Sequence, residues 1–441
     1  MNQENNKNMN REILRLAIPN IISNLSVPLL SLVDIALMGH LDSTEYILTI
    51  GFGVMIFNFV YWSFGFLRMG TSGFTAQEYG KGDNRECLLI LGRALLVAVT
   101  GASLLMALKT PLSKLSLLLI DTTPEVKTYV AEYFAIRILA APATISLFAF
   151  TGWFFGMQNA KYPMILAISV NLLNIAFSLW FVRYAGMKSN GVALGTLLAQ
   201  YCGLMLAFAL FYKRYRHLLP FWNTSHLFEI HKIKRFLTVN SDIIIRTLCL
   251  MFAFSFFKVQ SAKEGIVMGS ANIVLLELFM IIAFGIDGFA NAAESIVGKY
   301  FGSGDEKNFR EAIKRSFQWG MGLSILLVSV FYLFGSELLQ TVTDNQEVIN
   351  SAMPFMGWLI LSPIINTIPF IWDGIYIGMT ASKAMRNTML ISTFLFFLPT
   401  YYLFHNLLGN HALWLALTLF MLARGISQTV LAKYVVFNRS S

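Results

Sequence analysis

GFLRMGTSGFTAQEYGKGD occupies residues 65–83, and DGFANAAESIVGKYFGSGD occupies residues 287–305, about 222 residues later. Both stretches end in an aromatic residue, Gly, a small or basic residue, and Gly-Asp. A second pair, FTGWFFGMQNAK at 150–161 and WDGIYIGMTASK at 372–383, matches at the same spacing. The shared spacing predicts an internal repeat; chance similarity among apolar helices is the alternative.

The composition is that of a membrane protein. The chain has 441 residues, 56% of them hydrophobic and 13% charged, and its mean hydropathy is +0.62. Soluble domains are about 45–50% apolar and about 25% charged. The net charge of +9 resides mainly in loops between apolar segments, so it predicts membrane orientation and no nucleic-acid partner. The three cysteines show no disulfide or metal-ligand spacing.

The apolar segments are long enough to cross a bilayer, which takes about 20 residues of helix. Their runs are continuous rather than alternating, which favours helices over strands. The sequence therefore predicts an all-α integral membrane protein with twelve transmembrane helices, near 14–38, 46–70, 88–108, 131–155, 162–182, 191–212, 236–260, 266–298, 316–335, 350–378, 387–404 and 411–434.

Loop charges predict the orientation. Most lysines and arginines fall on one side if the N-terminus is cytoplasmic, and positive loops stay inside. We therefore expect a multi-pass protein of the cell's inner (cytoplasmic) membrane with both termini cytoplasmic. The repeat divides the chain into an N-terminal lobe of helices 1–6 (1–212), a basic cytoplasmic linker (213–235) and a C-terminal lobe of helices 7–12 (236–441). Such a parallel repeat is typical of transporters.

The first helix carries an unexpected carboxylate, Asp34, in the stretch LLSLVDIALMGH at 29–40. A charge at this depth costs about 2.5–3.5 kcal/mol on insertion scales, so it marks a functional candidate. Asn20, Asn24 and Ser31 share its helix face, and Pro19 and Pro28 predict kinks in the same helix. The pattern favours binding of a proton or a cation; an interhelical packing contact is the alternative.

Neutral polar residues repeat on one face of the fifth and sixth helices. Asn171, Asn174 and Ser178 follow steps of 3 and 4, and Thr196 and Gln200 lie four apart. Such oxygens can complete the coordination of a hard cation beside one carboxylate. Packing hydrogen bonds explain them at least as well.

The second half contains its own intramembrane charges, Arg246, Glu277, Asp287 and Asp373. Isolated charges at this depth pair, so we expect Arg246 to contact Asp287 or Asp373. A static salt bridge and a coupling role remain equal alternatives. Pro363 lies in a segment with two further prolines, which predicts an irregular helix.

No catalytic motif emerges: the chain has no P-loop, GxSxG or HExxH pattern, so we expect no enzyme activity. Aromatic side chains could stack on organic cations. The candidates for a substrate cavity are Asn20, Asn24, Ser31, Tyr61, Trp62, Arg68 and Trp153.

Three stretches resemble the multidrug and toxic compound extrusion (MATE) family, in its DinF-like branch. They are LVDIALMGHL (32–41), ANIVLLELFMIIAFGIDGFANAAESIVGKYFG (271–302) and WDGIYIGMTASKAMRN (372–387). The resemblance covers nearly the whole chain. It implies twelve helices in two pseudo-symmetric six-helix lobes, and export of organic, often cationic and amphipathic, compounds in exchange for protons or sodium.

The resemblance also implies roles for single residues. Asp34 matches the family's ion-binding aspartate, which makes it the candidate sodium site, and Asn174 and Thr196 match positions that assist it. Ser178 departs from the family, whose DinF-like members usually carry a second aspartate there. Pro19 resembles the kink proline of the family's first helix. The family's charged C-lobe positions match Arg246, Asp287 and Asp373.

We therefore expect an antiporter that works by alternating access, with Asp34 as the ion-coupling residue and no cofactor beyond the coupling H+ or Na+. The expected partners are the lipid bilayer and small organic substrates, and we expect a monomer. A lipid or lipid-linked oligosaccharide flippase of the same superfamily is the alternative, for which Arg68, Arg137 and Arg246 are the only cationic candidates.

Overall fold

The computed structural model describes the backbone of residues 2–38, 44–118, 120, 122–222 and 224–438. Within these ranges the side chains of 2–7, 27–38, 44, 45, 47, 224 and 225 lie outside the description. The described chain is helical throughout and contains no strand. Its contacts divide it into two compact units: the N unit comprises residues 22–235, and the C unit comprises residues 1–21 and 236–441.

The helices of the first half run from α1 to α10. They are α1 Asn2–Met38, α2 Thr44–Trp62, α3 Gly65–Lys81, α4 Asn84–Ala107, α5 Lys109–Leu118, α6 Pro124–Arg137, α7 Ala141–Gly156, α8 Lys161–Arg183, α9 Ser189–Tyr215 and α10 Thr224–Leu227, with 3-10 turns at Ile138–Ala140 and Arg216–Phe221.

The helices of the second half run from α11 to α18. They are α11 Ile230–Lys263, α12 Ile266–Ser303, α13 Glu306–Val342, α14 Gln346–Ala352, α15 Met356–Gly378, α16 Ser382–Ile391, α17 Leu398–Leu408 and α18 His411–Ala432, with a 3-10 turn at Met353–Phe355 and π-helical turns at Ser392–Phe397 and Lys433–Phe437.

The predicted membrane spans coincide with these helices. Ten described helical stretches are long and apolar enough to cross a bilayer. In addition, α1 and α11 measure 37 and 34 residues, beyond the roughly 20 that a span requires. The prediction of an all-α protein with twelve long helices is confirmed.

Each unit has a core of apolar and aromatic side chains. In the N unit, fully buried Trp153 contacts Phe154, Phe211 and Tyr215 at ring-centroid distances of 4.8–5.5 Å. In the C unit, the rings of Phe257 and Trp414 meet edge to face at 5.0 Å. These cores hold helices that are distant in sequence at fixed positions.

The two halves repeat the same close helix contacts. A Cβ on Gly152 would lie 2.2 Å from the carbonyl oxygen of Arg68, and a Cβ on Gly374 would lie 2.1 Å from that of Ala290. Both glycines and both carbonyls are 222 positions apart in the numbering. Glycine is required there because one helix backbone rests directly on another.

The turns repeat at the same spacing. Gln158 and Thr380 have positive φ angles of 58° and 54°, which side-chain-bearing residues rarely adopt. Asp83 caps α4 by accepting from the Glu86 N–H, and Asp305 caps α13 by accepting from the Asn308 N–H. The predicted internal repeat is therefore visible in backbone geometry as well as in sequence.

Substituting the contact glycines tests this geometry. Gly152→Ala and Gly374→Ala each place a methyl group on a backbone carbonyl, so we expect each to lower stability by about 1–3 kcal/mol. Gly51 and Gly322 have open space around them, and Gly51→Ala and Gly322→Ala serve as controls that stay neutral or gain stability. Thermal unfolding in detergent measures the difference; equal midpoints for all four variants would contradict the close contacts.

The first turns of α1 belong to the C unit. Met9, Ile13, Leu16 and Ala17 bury one stripe of this helix. The Glu12 carboxylate accepts from Lys299 Nζ at 3.1 Å and from the Tyr300 hydroxyl at 3.0 Å; Trp319 Nε1 donates to Asn10 at 3.1 Å. The sequence division placed residues 1–21 with helices 1–6, whereas their contacts place them with residues 236–441.

The linker predicted at 213–235 is bound to the N unit. Buried Arg93 donates to the carbonyl oxygens of His226 and Leu227 and to the Glu86 carboxylate at 2.6–3.2 Å. Lys232 Nζ bridges Glu86 at 2.8 Å and Glu229 at 3.1 Å. Burial lowers the pKa of Lys232, but the hydrogen bonds and charges of these two carboxylates outweigh it and raise that pKa overall.

The linker contact should depend on pH. Hydrogen bonds with His226 and Lys232 lower the pKa of Glu229 to about 2, from 4.5. The pKa of Glu229 is lower in the folded protein than in the unfolded chain, so ionised Glu229 stabilises the fold above pH 4.5. This stabilisation is lost as the pH falls from 4.5 towards 2. We expect Glu229→Gln to unfold at a lower temperature than wild type at pH 6, with the gap closing by pH 2. A gap that stays constant over this range would contradict the ion pairs.

Candidate ion-coupling site and buried charge cluster

The predicted polar face of α8 lies against α9. Asn174 and Ser178 are buried, and Asn171 is half-buried. Asn174 Nδ2 donates to Thr196 Oγ1 at 2.9 Å, and that hydroxyl donates to the Val192 carbonyl at 2.9 Å. The structure thus places Asn174 and Ser178 of α8 against Thr196 and its neighbour Gly195 of α9.

Two buried oxygens on this face lack a hydrogen-bond partner among the described residues: Asn174 Oδ1 and Ser178 Oγ. An unpaired buried polar group costs about 1–3 kcal/mol, so such atoms indicate a missing ligand or water. Both oxygens can accept a hydrogen bond or coordinate a cation. Gly195 closes one side of the site, since a Cβ there would lie 2.7 Å from Ser178 Oγ.

The first helix reaches this site. Asn171 Nδ2 donates to Ser26 Oγ at 3.1 Å and to the Ser26 carbonyl at 3.4 Å, which joins α1 to α8 within the N unit. The backbone of α1 continues as a helix to Met38. The side chains of Asp34, Ser31 and Pro28 lie outside the described residues, so their predicted roles remain predictions.

Other predicted residues of the first helix have different surroundings. Asn20 is buried in the C unit, where its Nδ2 donates to the Leu16 carbonyl of its own helix at 3.0 Å. Asn24 is half-buried and belongs to the N unit. Pro19 lies inside the continuous helix α1. Asn20 and Asn24, which were predicted to share one helix face, therefore belong to different units.

The aromatic cavity candidates also differ from one another. Trp62 is exposed, whereas the Tyr61 hydroxyl donates to the Arg137 carbonyl at 3.0 Å. Arg68 lies over the Phe155 ring at 5.8 Å. Trp153 is completely buried and its Nε1 donates to the Cys87 carbonyl at 2.7 Å. In this structure Trp153 therefore packs in the core of the N unit, and the cavity role stays a prediction.

The C unit contains a buried charge cluster around Asp373. Arg246 donates to Asp373, as one of the two predicted pairings required. Arg424 donates to the same carboxylate, and Gln428 Nε2 donates to its other oxygen at 2.6 Å. Arg424 and Gln428 were not predicted as partners. An arginine four residues before a glutamine in the otherwise apolar α18 was the available signal.

The remaining predicted acids, Asp287 and Glu277, differ in exposure. Asp287 is half-buried and its charge acts on Arg424. Glu277 is exposed, although it lies in the span α12. Because a carboxylate in lipid is costly, an exposed acid inside a span indicates a hydrated surface.

Prolines in α15 are accommodated within a continuous helix. Pro363 removes the N–H that would bond to the Leu359 carbonyl, and the Ser362 hydroxyl donates to that carbonyl at 2.8 Å instead. The Pro363 carbonyl accepts from the hydroxyls of Ser324 and Thr367 at 3.0 and 2.9 Å. Side-chain hydroxyls thus compensate the backbone at this proline.

No group of three His, Cys, Asp or Glu side chains with metal-ligand geometry occurs among the described residues. The donor set around Ser178 is instead neutral oxygen, which suits a proton relay or a weakly held alkali cation beside one carboxylate.

Comparisons with known proteins agree with this architecture. The MatE family model matches the chain twice, at residues 19–180 and 243–403, one match in each half. DNA damage-inducible protein F of Escherichia coli is 34% identical over 428 residues, covering 95% of this chain and 90% of that protein. The probable multidrug resistance protein NorM of Thermotoga maritima is 25% identical, covering 77% of this chain and 73% of that protein.

Solved structures show the same fold. The Vibrio cholerae MATE transporter VcmN superposes with a TM-score of 0.87 at 16% identity, covering 99% of both chains. A MATE structure in complex with MaL6 superposes with a TM-score of 0.85 at 17% identity, covering 96% of both chains. The relatives named for function are multidrug proteins, so the flippase alternative is not favoured. With its twelve helices and duplicated family match, this chain belongs to the MatE family of multidrug and toxic compound extrusion transporters, and it is a DinF homologue.

Proposed function

We propose that this protein exports organic, cationic or amphipathic, compounds in exchange for protons or sodium, with Asp34 as the ion-coupling residue. The family supplies the class of activity, a multi-pass membrane transporter. The observation that supports ion coupling at this place is the pair of buried, unpartnered oxygens, Asn174 Oδ1 and Ser178 Oγ.

Helix register supports the position of Asp34. Ser26 lies level with Asn171 because the two hydrogen-bond. Asp34 follows Ser26 by eight residues, and Ser178 follows Asn171 by seven. The chain reverses direction at each span, so the first and fifth spans run in the same direction. Helices rise about 1.5 Å per residue, so Asp34 and Ser178 come to nearly the same depth.

The proposed mechanism couples the charge of Asp34 to the hydrogen bonds of α8 and α9. Uptake of an ion from outside neutralises Asp34. The free oxygens of Asn174 and Ser178 then reorient, and the Asn174–Thr196 hydrogen bond rearranges with them. Export follows if the ion and the substrate favour different conformations of the transporter. A ligand that binds both conformations equally well would not shift the equilibrium between them.

The Asp373 cluster serves structure in this proposal. Two guanidinium groups and one amide hold this carboxylate, so its hydrogen-bonding capacity is used within the C unit. Glu277 is the better candidate for contact with an organic cation, because it is exposed within a span.

The proposed setting is the inner membrane, with both termini cytoplasmic and the protein acting as a monomer without a cofactor. Helices 1–6 and 7–12 remain the proposed functional halves, which the two family matches support.

Reconstituted transport tests the proposal. Purified protein in liposomes is given a cationic dye such as rhodamine 6G, first under an imposed pH gradient and then under a sodium gradient at constant pH. We expect one of the two gradients to drive dye export above the rate of liposomes without protein. Dye movement that ignores both gradients would refute the antiport.

A further inference from the structure

The structure assigns Arg137 as a receptor for an acidic group on the transported compound. This inference rests on the proposed export function and adds to its substrate class amphiphiles that carry a carboxylate or a similar oxyanion. It depends on how the guanidinium is held within the N unit.

Arg137 ends α6, within the helical stretch Pro124–Gly156 that is long and apolar enough to span a bilayer. It follows the start of the predicted span at residue 131 by six residues, about 9 Å along a helix. The side chain is half-buried. An acceptor for the guanidinium therefore comes either from a lipid phosphate or from the transported compound, and the lipid arm of the experiment below separates these two sources.

Aromatic rings hold the guanidinium from α2. Its Cζ lies 5.4 Å from the Phe57 ring centroid and 5.7 Å from that of Tyr61. The Tyr61 hydroxyl donates to the Arg137 carbonyl, which fixes the backbone at the same point. Ring faces stabilise the charge of an arginine but leave its N–H groups unpaired.

Those N–H groups lack acceptors. Nε and Nη1 are buried and have no hydrogen-bond partner among the described residues. Together they carry three of the five N–H bonds of a guanidinium. No described acidic side chain pairs with Arg137. Buried polar groups are normally hydrogen-bonded, so we take the acceptor for these two nitrogens of a half-buried arginine to be supplied by a ligand.

Other buried arginines show the contrast. Arg93 pairs with Glu86, and Arg246 and Arg424 share Asp373. Each of these three reaches a carboxylate of its own unit, whereas Arg137 has two ring faces instead. Planar guanidinium groups bind carboxylates with strong, charge-assisted hydrogen bonds, which makes an organic acid the matching ligand.

Two dyes that differ by one acidic group test the inference. Rhodamine 6G is a cationic ethyl ester, and rhodamine 19 is the same xanthene with the ester replaced by a free carboxylate. Binding to purified protein in phosphatidylcholine nanodiscs is followed by fluorescence anisotropy. We expect Arg137→Gln to weaken rhodamine 19 binding about tenfold or more and to leave rhodamine 6G binding within about twofold.

Further variants control for charge and folding. Arg137→Lys keeps the positive charge without the planar donors, so its affinity for rhodamine 19 should lie between those of wild type and Arg137→Gln. It also serves if Arg137→Gln fails to fold. Arg183 is exposed at the end of α8, and Arg183→Gln should bind both dyes like wild type. Equal effects of Arg137→Gln on the two dyes, or no effect on rhodamine 19, would overturn the inference.

A lipid arm separates the two sources of an oxyanion. Adding phosphatidylglycerol to the nanodiscs should leave rhodamine 19 binding unchanged. Competition that occurs in wild type and disappears in Arg137→Gln would assign the site to a lipid phosphate and overturn the inference. Gradient-driven export of rhodamine 6G is measured in parallel: its loss in wild type refutes the antiport, whereas a failure confined to rhodamine 19 refutes only the role of Arg137.

Discussion

Asp34→Asn should abolish ion-driven export while leaving the protein folded. Asparagine has nearly the same shape as aspartate but cannot change its charge, so ion uptake would no longer bias one conformation over another. Coupling free energies between two ligands are about 1–3 kcal/mol, and we expect gradient-driven dye export to fall about 10- to 100-fold. The measurement is dye flux in liposomes with and without the effective gradient.

The result depends on separating coupling from stability. Asp344 is exposed between α13 and α14, and Asp344→Asn is the matched control, which should retain wild-type export. Asp34→Asn should show a thermal midpoint close to that of wild type and should still bind dye. Undiminished gradient-driven export by Asp34→Asn would place the coupling group elsewhere.

The packing around Ser178 is consistent with a proposed ion site that has one carboxylate, Asp34, rather than two. The space beside Ser178 Oγ ends at the backbone of α9, where Gly195 makes a close approach. A longer acidic side chain would need α8 and α9 to separate. Serine fits this packing, and its Oγ has no hydrogen-bond partner among the described residues; in the proposed mechanism it is a neutral ligand of the coupling ion.

Asp373→Asn should strongly destabilise the C unit. Arg246 and Arg424 are 7% and 0% exposed, and both form an ion pair with this carboxylate. Removing one partner from a buried ion cluster leaves uncompensated charge, which costs about 3–5 kcal/mol. We expect poor yield and a markedly lower midpoint in fluorescence-detected size-exclusion chromatography after heating.

A compensating change distinguishes charge imbalance from lost packing. In the double variant Asp373→Asn with Arg424→Met, one buried positive charge is removed as well, so part of the stability should return. Glu306→Gln breaks an exposed pair with Arg310 at 2.6 Å and should cost at most about 0.5 kcal/mol. If Asp373→Asn were no worse than Glu306→Gln, the cluster would not hold the C unit together.

Much of the architecture could be predicted from the chain alone. Continuous apolar runs indicated the spans, because hydropathy is a local property of each segment. The similarity of 65–83 to 287–305 indicated the repeat, because both copies lie in one sequence. The same holds for the one-face spacing of Asn174 and Ser178, since helix periodicity fixes it. The predicted pairing of Arg246 with an acid followed from the cost of an isolated charge in a membrane.

Partner choice was beyond the sequence. Arg246 and Asp373 are separated by 127 positions, and Asp373 and Arg424 by 51, so only packing of α11, α15 and α18 brings them together. Likewise, hydropathy did not indicate that the start of α1 packs with the C unit, or that Trp153 is enclosed by core rings.

The chain by itself thus determined the membrane class, the helices and their duplication, because burial in lipid acts on each segment separately. Tertiary structure alone decided which polar groups are satisfied. Arg93 and Arg137 are both arginines in apolar spans, yet one reaches a carboxylate and the other does not. That difference arises from the relative placement of helices, and no local pattern of residues encodes it.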